Sequence, residues 1–126
     1  MTLKYWYTTG GASGAQSVET DYSPVTPKPT VSAVLLELAD FKVKADAVLS
    51  ITFGATTPAL AANACTGGIQ FRLHPTDLTC GGCTYGVPST DYSYLAGTSL
   101  ADNQNITAYN AQGLLIWGLE PAPAPQ

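Results

Sequence analysis

The chain has 126 residues, with nine acidic and five basic side chains for a net charge of −4, a length that suits one domain with its own core. The cations Lys4, Lys28, Lys42, Lys44 and Arg72 form no stripe, which argues against a nucleic-acid partner, and no apolar run approaches the ~20 residues needed to cross a bilayer. Charged residues make up only 11%, against roughly 25% in an ordinary soluble domain.

From the start, residues 3–8 (LKYWYT) are rich in strand formers and read as a short, edge-like strand, with Leu3, Tyr5 and Tyr7 on one face. The opening residues lack the apolar segment of a secretory leader, so folding in the cytoplasm is expected. Over residues 10–30 the pattern collapses: Gly10, Gly11 and Gly14 loosen the backbone, and Pro24, Pro27 and Pro29 stiffen it. This stretch reads as an extended arm or tail. Residues 1–30 are therefore expected to form an N-terminal strand and arm, residues 31–120 the domain, and residues 121–126 (PAPAPQ) a polyproline-like tail that is flexible or docks.

Residues 31–38 (VSAVLLEL) are apolar on both sides from Val34 onward, as in a central strand covered on both faces. Residues 41–53 (FKVKADAVLSITF) place Phe41, Val43, Ala45, Ala47, Leu49, Ile51 and Phe53 on one face and polar residues, but for Val48, on the other. Such alternation is the mark of a half-buried strand. Thr57-Pro58 is expected to open a turn or two of helix. Residues 68–74 (GIQFRLH) alternate again, with Gln70, Arg72 and His74 outward. Residues 105–120 read as a hairpin turning around Asn110 to Gly113. Short strands, Gly/Pro connections and little helix predict an all-β antiparallel sandwich of jelly-roll type with an extended N-terminal arm.

The cysteines and the one histidine fall close together as Cys65, His74, Cys80 and Cys83. Three thiolates and an imidazole are a tetrahedral zinc set, so a structural zinc is one expectation. Free or buried thiols and a disulfide are the others, and no further cofactor is indicated. No G-x-S-x-G elbow, G-x-G-x-x-G or P-loop occurs, so no enzyme is expected. Tyr5, Trp6, Tyr7, Tyr22, Tyr92 and Tyr94 are the aromatics expected at an interface, since contact surfaces are poor in charge and rich in Tyr and Trp.

In its few charges, its Thr/Ala/Gly/Tyr-rich strands, its arm over residues 10–30 and its Pro-rich tail, the chain resembles small β-rich virion proteins of tailed bacteriophages, the capsid decoration or cement class. That resemblance implies a non-enzymatic virion protein that forms a homo-oligomer, with a trimer favoured, and clamps neighbouring major capsid subunits. The alternatives are another phage part, such as a tail or fibre component, and a carbohydrate-binding β-sandwich module whose Tyr and Trp rings stack on sugars.

Overall fold

A computed structural model describes residues 1–10, 14–77, 88–99 and 101–125. Seven strands are placed: β1 (Thr2–Tyr7), β2 (Gln16–Tyr22), β3 (Thr30–Leu35), β4 (Ala47–Thr52), β5 (Gln70–Pro75), β6 (Thr107–Tyr109) and β7 (Leu115–Trp117). They form a five-stranded sheet in the order β3-β4-β1-β6-β7 and a two-stranded sheet of β2 and β5, with antiparallel pairing throughout. The expected all-β antiparallel sandwich is what forms, and among the described residues the only helical elements are two 3₁₀ turns.

The core lies between the two sheets. Tyr7, Ala47, Leu49 and Ile51 are buried, and Leu3, Tyr5, Val31 and Leu35 of the large sheet meet Val18, Phe71 and Leu73 of the small one. These are the alternate residues of their strands, so one side of each sheet is apolar and the other is free for different work.

The strand expected over residues 41–53 is shorter than its pattern. Lys44 has φ 58, a left-handed conformation that breaks alternation, and Lys42 and Ala45 exchange hydrogen bonds of 2.9 and 3.1 Å around it. Val43 is therefore left 41% exposed, while Ala45, Ala47, Leu49 and Ile51 keep their inward places. Centre and edge are also exchanged relative to the sequence reading. β1 is the middle strand, hydrogen-bonded on both sides by β4 and β6, and Tyr7 and Trp6 are 1% and 5% exposed on its two faces. β3 is an edge, with Val34 54% exposed.

Residues 10–30 are not one continuous arm, because residues 16–22 within them are β2 and pair with β5. The helix expected after Thr57 is absent; a turn closed by Thr57 N–H to Gly54 O stands there. The hairpin forms where expected, with Gly113 at φ 79. The Pro-rich tail lies along residues 41–43: Val43 N–H donates to Ala122 O and Ala124 N–H to Phe41 O, both at 2.8 Å, and Pro121 is buried.

Candidate functional site

Because Val18, Phe71 and Leu73 point into the core, the opposite side of the small sheet is turned to solvent. On β5 it presents Gln70, Arg72 and His74, and on β2 Ser17, Glu19 and Asp21. The β2–β5 register slips between Thr20 and Tyr22. One extra residue in one strand is a β-bulge, which re-aims the side chains around it. Asp21 is that extra residue. Tyr22 is thereby set opposite Gln70 and stands 54% exposed at the end of the strip.

The charges on this face are paired across the two strands. Arg72 Nη2 reaches Asp21 Oδ1 at 2.9 Å. His74 Nε2 lies 2.9 and 3.1 Å from the two oxygens of Glu19, and His74 Nδ1 lies 2.7 Å from Pro75 O. The hydrogen bond to Glu19, then the one to the Pro75 carbonyl, raise the His74 pKa above the ordinary histidine value. Arg72 is likewise pushed up, first by its hydrogen bond to Asp21. Side chains tied across a strand pair lie along the sheet rather than standing away from it. The outcome is a flat, polar strip roughly 20 Å long that ends in an exposed phenol ring.

Trp6, Tyr109 and Tyr5 are spent on structure. Trp6 Nε1 donates to Thr107 Oγ1 at 3.0 Å, and Lys4 Nζ sits over the Trp6 and Tyr109 rings at 5.5 and 4.6 Å, a cation–π stack on the outer face of the large sheet. Tyr109 OH donates to Glu120, and burial followed by that bond raises its pKa to about 12. Tyr5 OH donates to Asp91 at 3.5 Å, and its pKa is raised to about 12, first by burial and then by the Asp91 charge. Of the six aromatics expected at an interface, Trp6 and Tyr7 are buried, Tyr5 and Tyr92 are half-buried, and Tyr22 and Tyr94 are exposed.

Of the expected metal ligands, Cys65 is a free, exposed cysteine and His74 is engaged by Glu19, while Cys80 and Cys83 lie outside the described residues. Among the described residues no group of three His, Cys, Asp or Glu is placed to hold a metal. A second concave feature is a cavity of about 590 Å³ lined by Met1, Pro24, Val25, Phe53, Pro58 and Leu60, with threonines at its margin. Among the described residues no charged side chain lines it, so they give it few convergent polar groups to orient a ligand.

Sequence reasoning exposed half of the strip. The alternation of residues 68–74 turned Gln70, Arg72 and His74 outward, but the partner strand was hidden, because QSVETDY is mostly polar and sits among glycines and prolines.

Comparison with known proteins finds relatives over most of the chain. The cellulose binding domain family, CBM_3, matches residues 1–118. The chain is 33% identical to a Beta-mannanase/endoglucanase A of Caldicellulosiruptor saccharolyticus over 99% of its own length and 9% of that protein's. It is 32% identical to Endoglucanase 5 of Pectobacterium carotovorum subsp. carotovorum over 96% of its length and 23% of that protein's. The chain thus spans less than a quarter of either curated relative. Among solved structures it superposes on the CBM3b of the major scaffoldin subunit ScaA from Acetivibrio cellulolyticus with a TM-score of 0.70 and 31% identity, covering 95% of this chain and 73% of that one. These findings overturn the capsid-decoration expectation, and with it the tail or fibre alternative, the capsid partners, the clamping homo-oligomer and the virion localisation. Composition alone misassigned it, because few charges and many Tyr mark a contact surface without saying what it contacts. The carbohydrate-binding alternative is the one that the comparisons support.

Proposed function

The chain belongs to the cellulose binding domain family CBM_3, and from that premise we propose that it is a non-catalytic module that adheres to the surface of a β-linked glucan through the outer face of β2 and β5. The observation that carries the reading is the strip Glu19, Asp21, Tyr22, Arg72 and His74: flat, exposed, charge-paired and tipped by an aromatic ring. A glucan chain offers apolar C–H faces and a rim of hydroxyls. Tyr22 supplies a ring for the first. The paired carboxylates, guanidinium and imidazole supply acceptors and donors for the second. Because each charge already has a partner, contact with a neutral polysaccharide strands no bare ion, which would be expensive to desolvate.

The non-catalytic reading rests on the family match, and four of the nine acids are engaged within the fold. Asp46 accepts hydrogen bonds from Thr9 N–H and Oγ1, Asp91 from Thr8 N–H and Oγ1, and Glu19 and Asp21 are ion-paired.

The test is depletion of the protein from solution by microcrystalline cellulose. Wild type is retained. Tyr22→Ala weakens retention by roughly tenfold, the loss of one well-placed aromatic anchor, and Arg72→Ala, which strands Asp21, weakens it by a few-fold. Wild type that stays in solution, or variants retained as well as wild type, would contradict the proposal.

A further inference from the structure

The two cross-strand pairs of the strip look alike and differ chemically. Arg72 stays charged at every accessible pH. His74 is the only histidine in the chain, and both its ring nitrogens face acceptors: the Glu19 carboxylate at 2.9 and 3.1 Å and the Pro75 carbonyl at 2.7 Å. A neutral imidazole has one N–H and donates to one of the two; only the imidazolium donates to both. Both contacts are hydrogen bonds at once only when His74 is protonated.

We infer that His74 is a positioning residue that holds Glu19 flat and neutralised on the binding face, so that the module grips an uncharged glucan in acid and loosens as the imidazole loses its proton. The inference rests on the proposed use of the β2–β5 face. In acid the strip carries Arg72 and His74 against Asp21 and Glu19, two charges of each sign. Above the His74 pKa the balance is one against two. Glu19, 48% exposed at its side chain, is then free to leave the sheet and must be stripped of water when a neutral surface arrives. Among the described residues, the charged groups acting on the imidazole are Glu19 on β2 and Arg72 on its own strand. The first favours the protonated form and the second opposes it, with Glu19 the stronger.

The experiment is the cellulose depletion isotherm repeated between pH 5 and pH 9 for the wild type, His74→Gln and Glu19→Gln. An NMR titration of the His74 ring in the free protein runs alongside it. The expected result is a wild-type affinity that falls roughly two- to fivefold with rising pH, the worth of one exposed ion pair. The midpoint tracks the NMR titration, which lies above the ordinary value near 6.5. His74→Gln gives a flat profile, and Glu19→Gln loses the fall with rising pH, since no carboxylate is then left unpaired when the imidazole gives up its proton. A flat wild-type profile, or a slope that survives in His74→Gln, overturns the inference while leaving the cellulose reading intact. No retention at any pH removes the reading beneath it instead.

Discussion

Asp91 shows how much one carboxylate organises at the residue scale. Its Oδ1 accepts Thr8 N–H at 2.9 Å and Thr8 Oγ1 at 3.0 Å, and Tyr5 OH reaches Oδ2 at 3.5 Å. Burial nevertheless raises its pKa, and the nearby Asp46 charge adds to the rise against the opposing hydrogen bonds. A carboxylate whose folded pKa is raised stabilises the fold in acid, and that contribution is lost as pH rises through the folded value. Asp91→Asn keeps an acceptor for Thr8 and sheds the buried charge. Asp91→Ala strands a backbone N–H and is expected to cost about 1–3 kcal/mol. Urea melts of the two variants at pH 7 check this: the alanine variant is clearly the weaker, and equal midpoints would refute the role. His74 carries the same sign for a different reason. Its raised pKa means a contribution present below the unfolded value near 6.5 and lost as pH rises through the folded one.

At the scale of elements, the hairpin of β6 and β7 depends on two local devices. Asn110 Oδ1 accepts Gln112 N–H and Leu114 N–H, both at 3.0 Å, and shapes the turn that the sequence announced. Beyond β7, Gly118 has φ +85, and a Cβ there would sit 2.4 Å from Ile106 O. No side chain fits so close to a carbonyl. Gly118→Ala is expected to cost roughly 2–4 kcal/mol, from the left-handed backbone and the forced displacement together. A thermal melt within a degree of wild type would show that this contact yields. Leu115, Ile116 and Trp117 lie on the outermost strand of the large sheet, all exposed. Their uncharged run read as a strand, but nothing in it marked the edge.

Whether an element could be read from the sequence depended on its apolar period. Ala47, Leu49 and Ile51 were legible as inward-facing because each is apolar and its neighbours, but for Val48, are polar. The break at Lys44 was not, since a lysine gives no sign of positive φ. The central place of β1 was hidden because it is set by partners 40 and more residues away, Ala47 to Thr52 on one side and Thr107 to Tyr109 on the other. β2 was missed because a strand whose outer side carries Ser17, Glu19, Asp21 and Tyr22 lacks the strong apolar repeat that announces a strand.

For the whole molecule, the two sheets divide the labour. The large one closes both of its faces around β1, with the core on one side and the Lys4–Trp6–Tyr109 stack on the other. The small one closes only its inner face and offers the other. Leu49→Ala, at the centre of the shared core, is expected to destabilise by about 2–5 kcal/mol, while cellulose retention below the melting transition stays unchanged because the strip is untouched. Retention lost in step with stability would mean that the sheets do not act separately.

The most direct measurement is oxidative footprinting of the protein free and adsorbed on microcrystalline cellulose. The account predicts that Tyr22 and His74 become protected on adsorption while Trp117, as exposed in the free protein, is labelled as before. Unchanged labelling of Tyr22 and His74, with protection at Trp117 instead, would contradict it.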